Sequence, residues 1–275
     1  MKIAVSGKGG VGKTTLVAVL ARLFTDKGQK VFAIDADPDA NLALTLGFPR
    51  SSQITPLIKM KELIEERTGT KAGASNPYFK LNPAVDDIPE KFFVSHQGIN
   101  LAVMGTVRGG GLGCTCPENA FLKALLRYLI VEREEVVLLD MEAGIEHLGR
   151  GTVEAVDRLI IVAEPSPLSI ETSLHIKNLA GEIGIKKIGV VGNKIAGEDD
   201  RKFITDNLTP YLNPPPQGRG PQCQIGGRDG VGVLELLGFL SYHKEIKDAG
   251  LKGASLFETC PELLKEGEAI LNRLT

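Results

Sequence analysis

The chain lacks an excess of charge, a long apolar run and a rich set of cysteines, and each shortage removes a class of function. Its 32 Lys and Arg stand against 34 Asp and Glu, a formal charge of −2, and the two signs are interspersed, so no polyanion-binding tract is present. With no basic patch along the chain, no nucleic-acid partner is expected. No apolar stretch approaches the roughly 20 residues of a membrane span, and Met1 leads directly into an apolar segment without a signal peptide. No membrane partner and a cytoplasmic location are therefore expected. Four cysteines, Cys114, Cys116, Cys223 and Cys260, are too few for a disulfide scaffold in 275 residues. Cys114 and Cys116 are one residue apart, a spacing that in a reducing compartment points to metal or redox chemistry. No internal repeat is found.

What is present alternates. Short apolar runs recur at Ile3–Ser6, Lys30–Ile34, Ile99–Met104, Val136–Leu139, Arg158–Ala163, Ile188–Gly192 and Leu236–Leu240. Unbroken runs of this length suit strands buried on both faces of a parallel sheet. Helical stretches lie between them at Lys13–Lys27, Pro56–Thr68, Pro117–Arg133, Leu168–Ile183, Asp199–Leu208 and Pro261–Leu274. The expectation is an α/β fold, a single domain over 1–275 with a mostly parallel sheet and helices on both faces. Two stretches rich in Pro and Gly, about 69–95 and 209–230, break the alternation and read as loop excursions. In open α/β sheets ligands bind beyond the carboxyl ends of the strands, so the loops after each strand should carry function.

The first such loop reads Gly7-Lys8-Gly9-Gly10-Val11-Gly12-Lys13-Thr14-Thr15. It fits Gly-x4-Gly-Lys-Thr between a strand and a helix, the form of a phosphate-binding loop. Glycines let the main-chain N–H groups of Gly9, Gly10, Val11 and Gly12 turn inward around a polyphosphate, and the following helix directs its positive end at it. Lys13 then reaches the β and γ phosphates, and the Thr14 hydroxyl, with Thr15 beside it, holds Mg2+.

The second loop, Asp35-Ala36-Asp37-Pro38-Asp39-Ala40-Asn41, places three carboxylates at alternate positions. Together in a core they would be costly, so they imply a nearby cation or a solvated loop. Asp37 is expected to position the attacking water, Asn41 to support the loop and Asp35 to lie near the loop lysines or Mg2+. Asp39 alone also reads as a helix N-cap. Four apolar residues from Val136 end in Asp140, the usual form of the Mg2+-side carboxylate. Gly144 allows the next segment to move with the γ-phosphate. Asn193, at the end of Val190-Val191-Gly192-Asn193-Lys194, is assigned to a purine edge.

Lys8 narrows the class. A second lysine in this loop resembles the deviant P-loop ATPases, which include nitrogenase iron protein, the arsenite and tail-anchored-protein ATPases and the cell-division and plasmid-partition ATPases. The resemblance implies ATP hydrolysis, with Lys8, Lys13 and Asp37 as catalytic residues, and a homodimer in which Lys8 crosses to the partner's nucleotide. Within that class, Gly109-Gly110-Gly111-Leu112-Gly113-Cys114-Thr115-Cys116-Pro117-Glu118-Asn119-Ala120 and Asp140-Met141-Glu142-Ala143-Gly144-Ile145-Glu146-His147-Leu148-Gly149-Arg150-Gly151 resemble the nickel-insertion accessory ATPases of carbon monoxide dehydrogenase, the CooC type. Lys80-Leu81-Asn82-Pro83, Val85-Asp86-Asp87, Glu164-Pro165-Ser166 and Gly192-Asn193-Lys194 extend the likeness, whereas 209–230 departs from it. The implied client is apo carbon monoxide dehydrogenase or acetyl-CoA synthase.

The cysteine pair fits that resemblance. In an extended Cys-x-Cys both thiolates fall on one side and can hold one ion. A twofold dimer doubles two ligands to the four that a closed site wants, and soft thiolates accept Ni2+ or Zn2+. Cys223, Cys260 and His147 are left outside the site. The alternative is an electron-transfer protein of the nitrogenase iron protein type with a dimer-bridging iron–sulfur cluster. Such proteins draw a cysteine from the segment after the Mg2+-side aspartate, where this chain has Ala143.

Overall fold

A computed structural model describes residues 1–71, 78–105, 117–142, 156–212, 233–246 and 256–274. The strands are β1 (Lys2–Gly7), β2 (Val31–Asp35), β3 (Val94–His96), β4 (Ile99–Val103), β5 (Val136–Asp140), β6 (Arg158–Ala163), β7 (Lys187–Ile195) and β8 (Val233–Ser241). They form one eight-stranded sheet in the order β3-β4-β2-β5-β1-β6-β7-β8. Every neighbouring pair is parallel except β3 with β4. The helices are α1 (Lys13–Asp26), α2 (Leu42–Thr45), α3 (Lys61–Thr68), α4 (Ile88–Phe92), α5 (Pro117–Arg127), α6 (Pro167–Ile183), α7 (Glu198–Leu212), α8 (Leu256–Thr259) and α9 (Glu262–Leu274). Among the described residues no helix is long and apolar enough to cross a membrane.

The unbroken apolar runs have the burial they require. β1, β2 and β5 are buried at every position, because each strand has a helix layer on both faces. Successive side chains point to opposite faces, so Ile3 and Val5 pack with Leu16, Leu20 and Phe24 of α1 and with Ile270 of α9. Ala4 joins the other layer, with Phe121 and Leu125 of α5 and Ile170 and Ile176 of α6. Each Leu, Ile or Phe fully buried in these layers stabilises the fold by about 1.5–3 kcal/mol. That burial, rather than capping, holds α1: its N-cap is Gly12, which makes no side-chain cap bond.

α9 approaches α1 closely where Gly267 has no side chain, since a Cβ there would overlap Val19 Cγ1. Gly267→Val is expected to destabilise the protein by about 1–3 kcal/mol through overpacking, read as a lower urea midpoint at unchanged slope. An unaltered midpoint would mean that the two helices separate freely.

Three sequence expectations change in detail. The helix expected over Pro56–Thr68 is a 3-10 turn at Leu57–Lys59 followed by α3, since Met60 between them is non-helical (φ −81°, ψ 68°). The Ile58 N–H is drawn instead to the Met104 carbonyl at the end of β4, 3.1 Å away. The helix expected to Arg133 is α-helical only to Arg127 and finishes as a wide π-turn over Tyr128–Glu132. Within the excursion expected at 69–95, the end is built into the fold. Val85 and Ile88 are buried, and Phe93 meets Phe32 edge-on at 5.6 Å. The intervening β3 makes Val136–Asp140 the fifth strand in chain order rather than the fourth.

Candidate functional site

Because β1, β2, β5, β6 and β7 are parallel, their carboxyl ends open on one side of the sheet. β1 lies between β5 and β6, and α1 carries the chain from β1 to β2 across β5. The loop between β1 and α1 therefore sits at the middle of the carboxyl edge, the position that receives ligands in open α/β sheets.

That loop is shaped by glycine where only glycine fits. Gly10 and Gly12 have φ of 77° and 97°, in the left-handed region that other residues avoid. A Cβ on Gly12 would overlap Asn193 Nδ2. Asn193, at the end of β7, is buried and donates from Nδ2 to the Val11 carbonyl at 2.7 Å. The amide assigned to a purine edge is thus engaged by the loop main chain, which it braces from behind. Gly9 and Gly10 are exposed, and Thr14 and Thr15 half-buried, in the first turn of α1. With a glycine N-cap, the first N–H groups of α1 have no side-chain oxygen and are available to an anion.

Lys13 is 5% exposed, yet its partners are remote. Nζ lies 3.4 Å from the Lys8 carbonyl and 4.0 Å from Asp37 Oδ2. Among the described residues this buried ammonium has no close counter-ion, an imbalance that a polyphosphate would offset.

The carboxylates divide their roles. Asp35 is fully buried, accepting from the Leu42 N–H at 2.9 Å on Oδ2 and from the Asp37 N–H at 3.2 Å on Oδ1. Burial raises its pKa to about 6 against those two bonds. It holds the 36–42 loop and, in the β2–β5 register, stands directly opposite Asp140. Asp37 accepts from the Asp39 N–H on Oδ1, leaving Oδ2 toward Lys13. Asp39 is exposed and caps no helix: α2 begins at Leu42 with Asn41 as its N-cap. The Asn41 carbonyl accepts from the Thr45 hydroxyl and N–H at the start of α2, and its side chain makes no cap bond.

Asp140 is fully buried, and among the described residues neither carboxylate oxygen has a hydrogen-bond partner. Burial raises its pKa to about 7; the nearby Thr14 hydroxyl acts to lower it, and Asp35 raises it further. A buried, unpartnered carboxylate beside a hydroxyl and a phosphate-binding loop suits Mg2+, which takes one or two carboxylates and completes its octahedron with water and phosphate. Among the described residues no cluster of three or more His, Cys, Asp or Glu side chains is arranged to hold a metal. Thr14 and Asp140 would hold it, and bound there it would neutralise charge on the β and γ phosphates.

Lys8 does not point into this cradle. Its Nζ lies 3.0 Å from Glu164 Oε1, just past the end of β6, and Lys194 Nζ is 2.9 Å from Glu164 Oε2. Burial works to raise the Glu164 pKa, but the hydrogen bonds from Lys194 and Lys8 outweigh it and hold it below the usual range. Neither Glu164 nor Lys194 was a candidate on sequence grounds. Their position at the carboxyl edge was the available signal. Cys114, Cys116, Gly144, His147 and Cys223, and most of 209–230, lie outside the described residues; Cys260 is buried just after α8.

A glycine-cradled lysine, a facing threonine and a buried aspartate at the carboxyl edge of a parallel sheet define a P-loop nucleoside triphosphatase. Residues 2–256 match the CobQ/CobB/MinD/ParA nucleotide binding domain, and the chain belongs to that family. Along its whole length it is 45% identical to the carbon monoxide dehydrogenase accessory protein CooC of Rhodospirillum rubrum, covering 96% of that protein. It is 42% identical, over 99% of its length and 96% of the relative's, to an uncharacterised ATP-binding protein of Methanocaldococcus jannaschii. Among solved structures it shares the fold of MinD in the Aquifex aeolicus MinC:MinD complex (TM-score 0.65, 20% identity, 99% and 94% of the two chains). A ParA family ATPase from Chlorobium tepidum is equally similar (TM-score 0.65, 15% identity, 99% and 97% covered). Within its family the chain is an ATPase, working on ATP with Mg2+.

Proposed function

We propose that this ATPase carries nickel and inserts it into carbon monoxide dehydrogenase or acetyl-CoA synthase. The observation that carries the reading is the 45% identity, end to end, with a carbon monoxide dehydrogenase accessory protein, in a chain that contains Cys114-Thr115-Cys116 just before α5. ATP draws two protomers together at the carboxyl edge of the sheet, with each Lys8 reaching the nucleotide of its partner. Asp37, which has one oxygen toward Lys13, orients the attacking water, and Asn193 contributes to the nucleotide site from behind the loop. Two Cys114/Cys116 pairs meet at the twofold axis and hold Ni2+ as cargo, with Zn2+ as the competing ion for a four-thiolate set. Hydrolysis loosens the dimer and releases the ion to the apo-enzyme.

Equilibrium dialysis with Ni2+ tests the cargo. The wild type should bind one ion per pair of chains, and a Cys114→Ala/Cys116→Ala variant should bind none at the same ion concentration while still hydrolysing ATP. Unchanged stoichiometry in the variant would defeat the metal role. Elution on a sizing column with and without Ni2+ and ATP tests the dimer, and a single subunit under all four conditions would refute it.

A further inference from the structure

Three charged side chains at the carboxyl edge form a group that nucleotide chemistry alone does not explain. Glu164 is 17% exposed and carries two lysines, Lys8 on Oε1 at 3.0 Å and Lys194 on Oε2 at 2.9 Å. Its main chain is firmly placed. The Glu164 N–H donates to Ser169 Oγ at 3.0 Å, and Ser166, the N-cap of α6, accepts from the Ser169 N–H. Glu164 is thus a fixed post, next to the start of a 17-residue helix.

Lys194 reaches this post at a conformational cost. Its φ is 59°, in the left-handed region that costs a non-glycine residue stability and persists only where the surroundings require it. Lys8 is differently divided. Its carbonyl faces the cradle, accepting from the Val11 N–H at 3.3 Å and lying 3.4 Å from Lys13 Nζ. Its side chain leaves the cradle for Glu164.

We propose that Glu164 is a latch that keeps the Lys8 ammonium on its own subunit until a polyphosphate competes for it, and that Lys194 is the standing second occupant that allows the release. The electrostatics set the roles. A mostly buried carboxylate stripped of every cation is strongly disfavoured, so a latch with Lys8 as its single partner would hold it too firmly. With Lys194 already on the other oxygen, Glu164 keeps one counter-ion when Lys8 departs. Both are positioning residues, acting through Lys8. The inference rests on the reading that Lys8 serves the partner's nucleotide in a dimer.

The two partners of the latch should therefore act in opposite directions, which no merely structural role predicts. Sedimentation of the full chain with Mg2+ and the non-hydrolysable analogue AMP-PNP reads the dimer dissociation constant. Glu164→Gln should tighten the dimer several-fold, and Lys194→Gln should weaken it several-fold. A weaker dimer in both, or no change in either, would overturn the latch. Acetylation of nucleotide-free monomer with acetic anhydride, followed site by site, gives a reading independent of dimerisation. Lys8 should label faster in Glu164→Gln and more slowly in Lys194→Gln; equal rates in all three proteins would also overturn it. Lys8→Ala isolates the underlying assumption. If it dimerises with AMP-PNP as the wild type does, the role of Lys8 across the dimer is wrong, and the proposal falls for that reason.

Discussion

Asp140→Asn should slow ATP hydrolysis about 100-fold or more and, in the same protein, raise the melting temperature without nucleotide. The two effects have one origin. Asp140 is buried, and among the described residues both carboxylate oxygens are unpartnered, a costly arrangement that a bound cation would relieve. Burial shifts its pKa from 3.8 to about 7. At one pKa unit per about 1.4 kcal/mol, even half of that shift corresponds to about 2 kcal/mol, or roughly 4–8 °C in a chain of this size. Asparagine keeps the shape and never ionises.

The pH dependence follows from the sign of the shift. Below pH 3.8 the carboxyl is neutral in both folded and unfolded chains, and the penalty is absent. As pH rises through the unfolded value toward 7, only the unfolded chain ionises readily, so native stability falls. Above about pH 7 the penalty is complete. The variant should therefore match the wild type near pH 4 and exceed it by its full margin at pH 8, measured by thermal melts. Equal melting temperatures at pH 8 would refute an uncompensated buried charge at Asp140. The rate should fall because the variant would hold Mg2+ less well at the β and γ phosphates, and loss of a single preorganised stabilising charge costs on the order of 100- to 1000-fold. Addition of Mg2+ and ADP should then raise the melting temperature of the wild type much more than that of the variant.

Gly12→Ala is expected to abolish nucleotide binding while leaving the fold intact. Two costs coincide at one methyl group. The residue sits at φ 97°, worth about 1–2 kcal/mol against any L side chain. The new Cβ would also overlap Asn193 Nδ2. Asn193 is the end of a side chain and can move, but only by giving up its 2.7 Å bond to the Val11 carbonyl, which braces the loop. Fluorescent nucleotide titration should show binding weakened at least 100-fold. Combining Gly12→Ala with Asn193→Ala should then cost less than the sum of the single changes, since the clash disappears with the amide. Strict additivity would mean that the amide and the loop act independently.

Much of this was legible in the sequence because it is local. The loop from Gly7 to Thr15 needs its glycines, lysine and threonine at fixed spacing, and it stands between a strand and a helix as the motif requires. The central strands announced themselves as unbroken apolar runs. Elements at the rim were less visible: β3 has three residues, two of them exposed, and leaves no periodic signal. α2 and α4, of four and five residues, are too short for a helical repeat to show.

The sequence by itself determined the phosphate-binding loop, the parallel core and the aspartates that end β2 and β5, since each depends on residues adjacent in the chain. Tertiary structure alone decided which of those groups meet. Asp35 faces Asp140 because β2 and β5 pair in that register, 105 positions apart. Asn193 braces Val11 across 182 positions, and Lys8 rests on Glu164 across 156. Such pairings depend on sheet order and on where helices begin, which no local pattern encodes, and they set the burial and charge on which the chemistry of this site depends.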